Sequence, residues 1–260
     1  MNLSNNTILI TGGGSGIGLA LAVELLNYNN KIIIAGRNIE KLQLAQTNHP
    51  KLEILQVDIS DEASVKKLTY EVLEKYPDLN FLINNAGVIN LWNIKTKKVS
   101  ISGQKAELLT NVFGTIQLTQ SLIPFLLNKK NATILNVSSA LAFVPMASAP
   151  VYSATKAALH SYTISLRQQL QGTNVSVFEV LPAAINTDMA KHIEKSAGIE
   201  ASGQGMLPEK LAVLIVSGLK KNNFEIRPGM ANILYHLHRF FPTLAQKMLA
   251  KQAQKMLANL

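Results

Sequence analysis

Tyr152 and Lys156 stand four residues apart in a stretch, about 151–171, whose pattern reads as a helix. That spacing puts both side chains on one face. A phenol titrates near pH 10, too high for acid–base work at neutral pH, and a nearby ammonium favours the phenolate. The pair is therefore a candidate acid–base couple, although YxxxK also occurs in amphipathic helices with one core tyrosine and one solvent-facing lysine. Far upstream, Thr11 to Gly18 reads TGGGSGIG directly after a short apolar run. Glycines there let the backbone approach a pyrophosphate lying on the positive end of the helix that Ile17 and Gly18 open. The same glycines could serve only to make a tight turn.

These residues need a scaffold. The chain has 260 residues, 47% hydrophobic and 16% charged, which excludes a disordered chain and suffices for one large α/β domain. Apolar runs read as strands at Thr7 to Ile10, Lys31 to Ala35, Leu52 to Val57, Leu79 to Ile83, Thr133 to Val137, Val175 to Val180 and Phe224 to Ile226. Helical patterns separate them, including one continuous helix over about 103–128 and another over about 208–220. Seven strands alternating with helices imply a Rossmann-type, doubly wound parallel sheet with helices on both faces. Its ligand site should lie beyond the carboxyl ends of the strands, at the switch point.

Several motifs in order resemble the short-chain dehydrogenase/reductase family. They are Thr11, Gly12, Gly16 and Gly18; Asn84-Asn85-Ala86-Gly87 after the fourth strand; Asn111; Ser138-Ser139 after the fifth strand; and Tyr152-x-x-x-Lys156. The match spans residues 7–190, about 70% of the chain, and the block from Asn136 through Arg167 looks closest to a DltE-like bacterial branch. The resemblance implies an oxidoreductase that moves a hydride between nicotinamide and a carbonyl/alcohol substrate. It casts Tyr152 as the proton-transferring acid or base. Lys156 would lower its pKa and hold the nicotinamide ribose, Ser139 would polarise the substrate oxygen, and Asn111 would hold a water that links Lys156 to solvent. Ser138 and Asn84 read instead as strand-end residues, satisfying backbone groups and bridging strands.

The resemblance also bears on the cofactor. NAD enzymes of the family tend to carry an acid where Gly36 stands. Gly36 removes that repulsion and Arg37 can pair with a 2′-phosphate, helped by Ser15 and Asn38, so NADP(H) is expected. Asp58 and Ile59 would meet the adenine, although Asp58 could cap the following turn. Asn85, Ala86 and Gly87 would pass the adenine-side ribose, and Pro182, Ile185 and Thr187 the nicotinamide. Ala183 stands where the family usually has Gly.

Substrate contacts are expected from Ile89, Leu91, Trp92, Leu141, Phe143, Val144, Met189, Ile193 and Met206, an apolar set suited to a carbonyl compound with a hydrophobic body. Residues 188–207 read as a substrate loop, with a mobile stretch at 198–205. The domain reads as 1–228, and 229–260 as a basic helical extension that packs on the domain or on another subunit. Its apolar stripe beside Lys247, Lys251 and Lys255 offers a second reading, a membrane-surface element, which would make the chain a non-catalytic NADP-binding or membrane-surface protein. The formal net charge is +9, yet no nucleic-acid reader motif accompanies it. There is no cysteine, and His236 and His238 do not share a helix face, so no metal site is expected. No segment reads as a membrane span or signal peptide, so a cytoplasmic protein is expected. By resemblance, a homo-dimer or tetramer would form through the helices at 103–128 and 151–171.

Overall fold

The apolar runs become seven parallel strands: β1 (Thr7–Thr11), β2 (Lys31–Gly36), β3 (Leu52–Gln56), β4 (Leu79–Asn84), β5 (Ala132–Val137), β6 (Val175–Val180) and β7 (Glu225–Ile226). They form one sheet in the order β3-β2-β1-β4-β5-β6-β7. The computed structural model describes residues 1–96, 100–198 and 205–260, without the side chains of Gln252 and Lys255. Most of the loop expected over 198–205, and the Lys255 side chain expected in the basic stripe, therefore lie outside the described residues.

The helices are α1 (Gly16–Leu26), α2 (Ile39–Asn48), α3 (Glu62–Lys75), α4 (Ile101–Leu108), α5 (Thr115–Leu126), α6 (Pro150–Gln169), α7 (Asp188–Ser196), α8 (Pro208–Lys220), α9 (Met230–Phe240) and α10 (Pro242–Asn259). Strand side chains alternate between the two faces. Ile8, Ile10, Ile32 and Ile34 join the core beneath α1, α2 and α8. Leu9, Ile33 and Ala35 join the core beneath α3, α5 and α6. Each fully buried Ile or Leu contributes about 1.5–3 kcal/mol, so strands buried on both sides bind the two helical layers into one unit. Between β1 and β4 the strand order reverses, the point beyond whose carboxyl ends an open α/β sheet places its ligand crevice.

Two elements differ from the sequence expectation. The helix expected over 103–128 is broken into α4, a π-helical turn at Leu109–Gly114, and α5. The break is tertiary in origin. A Cβ on Gly114 would stand 2.0 Å from the Ile59 carbonyl oxygen, so the helix is pressed onto the loop after β3 and its spacing is locally widened. The loop expected from residue 188 instead begins with α7, capped by the Thr187 hydroxyl, which accepts the Ala190 N–H at 3.3 Å.

Candidate active site

The turn after β1 needs its glycines. Gly12 and Gly16 have φ of +65° and +55°, the left-handed region that glycine enters freely. A Cβ on Gly12 would also stand 2.9 Å from Ala86 Cα, so the turn lies against the chain leaving β4. Thr11 Oγ1 accepts the N–H groups of Asn85 and Ala86 at 3.0 and 3.2 Å, and Asn85 Nδ2 donates to the Thr11 and Gly12 carbonyls at 2.9 and 3.1 Å. Gly16, Ile17 and Gly18 open α1, leaving its first N–H groups free for an anion. Ser15 precedes them in extended conformation, and its side chain makes no capping bond. Thr187 closes over this turn, its Cγ2 3.2 Å from where a Cβ on Gly16 would stand. A side chain at any of these glycines would crowd its neighbours, and the bare backbone with the helix N–H groups fits the pyrophosphate of a dinucleotide.

At the ends of β2 and β3 lie Gly36, Arg37, Asn38 and Asp58. A Cβ on Gly36 would meet only Leu42, at 3.7 Å, and Arg37 is 73% exposed at its side chain. Arg37 approaches Asp58 at 3.8 Å, a loose surface pair that leaves the guanidinium free to turn. Asn38 caps α2, accepting the Lys41 N–H at 2.9 Å. Asp58 Oδ1 accepts the backbone N–H and the hydroxyl of Ser60 at 2.9 and 2.6 Å, which is a capping role. Ile59 is buried, its carbonyl against Gly114.

α6, started by Pro150, carries Tyr152 and Lys156 one turn apart. The Lys156 Nζ donates to the Val137 carbonyl at 2.9 Å and lies 5.5 Å from the centre of the Tyr152 ring. Ser139, just beyond β5, caps a 3₁₀ turn at Ala140–Ala142, its Oγ accepting the Leu141 N–H at 3.1 Å, and its hydroxyl favours the ionised form of the Tyr152 phenol. Asn111 lies in the π turn, fully buried. It accepts the Val88 N–H at 2.8 Å, donates to the Val88 carbonyl at 2.8 Å, and donates to Thr155 Oγ1 on α6 at 3.1 Å. Gly87 packs over both groups: a Cβ there would stand 3.3 Å from Asn111 Oδ1 and 3.6 Å from Lys156 Nζ. Thus Ser139, Tyr152, Lys156 and Asn111 converge, while Ser138 donates to the Lys156 carbonyl and Asn84 bridges to Asn136.

The electrostatics of this group depart from the expectation that Lys156 lowers the Tyr152 pKa. Burial pushes the Tyr152 phenol up to about 12; the Ser139 hydroxyl opposes the rise and the Glu107 carboxyl adds to it. Burial likewise lowers Lys156 to about 8, opposed by Glu179. Desolvation is the largest cause for both groups, with Lys156 buried and Tyr152 half-buried.

Glu107 and Glu179 are site residues that the sequence reading missed. Both are fully buried. Glu107, one turn before Asn111, accepts the Asn90 N–H, and burial raises its pKa. The Trp92 indole N–H favours its carboxylate without making a well-formed hydrogen bond. Glu179 Oε2 lies 2.7 Å from His160 Nδ1. An acid within a helix or strand pattern gives no sequence signal of burial.

Beside Tyr152 lies an apolar wall. Ile89, Leu91, Leu141 and Ile193 reach it as expected, joined by Met146, Ala149, Ala253 and Met256. Phe143 and Val144 do not: they pack against α9 and the start of α10. Met206 joins the main core and pairs with Ile185 in an isolated bridge, so Ile185 is buried there. Pro182 accepts the Ala140 N–H at 2.8 Å, fixing the turn beside Ser139. A cavity of about 280 Å³ opens beside this wall, lined in part by Trp92, His192, Ile193 and Leu260. A larger one, about 550 Å³, lies behind α1 and shares only Gly16 and Thr187 with the site. Among the described residues no cluster of His, Asp and Glu could hold a metal ion.

The short chain dehydrogenase family profile matches residues 6–198. The uncharacterized oxidoreductase DltE of Bacillus subtilis is 38% identical over 228 residues, covering 87% of this chain and 89% of that protein. A short chain dehydrogenase from Burkholderia cenocepacia, solved in complex with NADP, has a TM-score of 0.82 at 24% identity, covering 96% of this chain and 99% of the other. A Burkholderia phymatum short chain dehydrogenase/reductase in complex with NAD has a TM-score of 0.81 at 20% identity, covering 94% and 96%.

Proposed function

Because the chain belongs to the short-chain dehydrogenase/reductase family and is an oxidoreductase, we propose that it reduces a hydrophobic carbonyl compound with NADPH. The observation that carries this reading is the convergence of the Ser139 hydroxyl, the Tyr152 phenol and the Lys156 ammonium beside an apolar wall. NADPH would supply the hydride when bound. The Gly12–Gly18 turn would hold its pyrophosphate, Arg37 and Ser15 the 2′-phosphate, Asn85 to Gly87 the adenine-side ribose, and Lys156 the nicotinamide ribose.

The residues divide the proton chemistry among them. With its pKa raised to about 12, Tyr152 keeps its proton at neutral pH and is ready to donate it to the carbonyl oxygen. Ser139 donates a second hydrogen bond to the same oxygen as negative charge develops there. Lys156, at about 8, is still mostly ammonium at pH 7 and lies close enough to steady the phenolate left behind. Asn111 clamps Val88 and Thr155, and so fixes the segment that crosses above Lys156; it also supports the water-mediated return of a proton to Lys156. The exposed Phe113 in the π turn and Leu127 at the end of α5 support a homo-oligomer formed through the helical segments at 103–128 and 151–171.

A screen of carbonyl compounds, followed at the absorbance of the reduced nicotinamide, tests this reading. NADPH-dependent reduction of apolar ketones or aldehydes is expected. Turnover confined to NADH would contradict the cofactor assignment, and failure across the panel with NADPH bound would contradict the substrate class.

A further inference from the structure

The helices α9 and α10 present two contrasting faces. Inward, Ala231, Leu234 and Ala245 pack on Ala140 and Val144, and Ala253 and Met256 pack on the wall beside Tyr152. Asn93 Nδ2 donates to the Leu257 carbonyl and Asn259 Nδ2 to the Ala197 carbonyl, both at 2.8 Å, which holds α10 in place. Outward, Met230, Ile233, Phe240, Phe241, Leu244 and Met248 are exposed, with Phe240 at 69% and Phe241 at 62%. The spacings 230, 233 and 240 on α9, and 244 and 248 on α10, keep each set on one helix face. Two adjacent phenylalanines held in water at a helix junction are unusual on a protein surface and mark a contact site.

Charge identifies the partner. Arg239, Lys247 and Lys251 are exposed among these apolar side chains, and none is ion-paired among the described residues. The sequence from residue 227 to 260 contains no Asp or Glu. We propose that the outward face of α9 and α10 docks on an anionic lipid bilayer. Apolar side chains would enter the headgroup boundary while the cations meet lipid phosphates. A two-fold contact between copies would set the same cations against each other. Nucleic acid would meet exposed Met, Ile and Leu with nothing for them to read. No described helix is long and apolar enough to cross a membrane, so the contact is interfacial. The inference does not depend on the proposed reaction.

Sedimentation of the full chain with vesicles tests it, using phosphatidylcholine alone and phosphatidylcholine mixed with phosphatidylglycerol. Binding is expected only to the mixed vesicles, weakening as salt screens the lysines. The variants Phe240→Ser/Phe241→Ser and Lys247→Gln/Lys251→Gln should each reduce it by about tenfold, with unfolding temperatures unchanged because all four side chains are exposed. Equal binding to both vesicles, no binding to either, binding retained in both variants, or a dimer lost in the phenylalanine variant would each overturn the proposal.

Discussion

The Lys156 ammonium sits 5.5 Å from the centre of the Tyr152 ring, one turn along α6, and is held there by the Val137 carbonyl. That bond fixes the cation from behind, so its position does not depend on substrate. Lys156→Ala should lower turnover by at least about 10²-fold and also weaken NADPH binding, because the same ammonium serves both. Steady-state rates and a fluorescence titration of NADPH check this. Loss of one effect without the other would separate the two roles proposed for this one group.

Arg37→Ala should cut the preference for NADPH over NADH by about tenfold or more, the worth of a charge-assisted hydrogen bond to phosphate. Stability should not change measurably, since the side chain is 73% exposed and reaches Asp58 only at 3.8 Å. The ratio of the two cofactor dissociation constants is the relevant measurement. An unchanged ratio would contradict the cofactor assignment.

The fully buried Glu107 raises the Tyr152 pKa. Glu107→Gln keeps an oxygen to accept the Asn90 N–H and removes the negative charge. The phenolate should then form at lower pH, so the rise of alcohol oxidation with pH should begin earlier in the variant. A pH profile of kcat/KM in the oxidation direction tests this, and a shift toward higher pH would reverse the assigned sign. Glu107→Leu should instead destabilise the fold by about 1–3 kcal/mol by orphaning the Asn90 amide.

His160 gives a pH-dependent stability. Its hydrogen bond with Glu179 raises its pKa above the usual 6.5. The stabilisation is complete below the unfolded value and is lost as pH rises through the higher folded one. Thermal unfolding of the protein and of His160→Gln should therefore differ most in acid and converge in alkali. A gap that widens as pH rises would contradict the pairing.

The parallel sheet was legible because strands buried on both sides leave uninterrupted apolar runs, as in Ile32, Ile33 and Ile34. Tyr152, Lys156, Ser139 and Asn111 were legible through spacing and family resemblance. The π turn was not, because it depends on Gly114 meeting the Ile59 carbonyl, a contact between residues 55 positions apart. Its trace in the sequence was a glycine inside an otherwise helical pattern. The start of α7 did carry a signal, a Thr187 cap followed by Asp188, which the polar composition of the segment masked. Phe143 and Val144 were placed in the substrate wall for their apolar character, but α9 and α10 compete for the same side chains.

The central claim is that the Tyr152 phenol delivers the proton. The most direct measurement is NADPH-dependent reduction by Tyr152→Phe beside the unaltered protein, on one carbonyl substrate, with folding and NADPH binding measured in parallel. Tyr152→Phe removes a hydroxyl and little else. The rate should fall by about 10²–10⁴-fold while the unfolding temperature and the NADPH dissociation constant stay close to those of the unaltered protein. A near-normal rate in the folded, NADPH-binding variant would contradict the account.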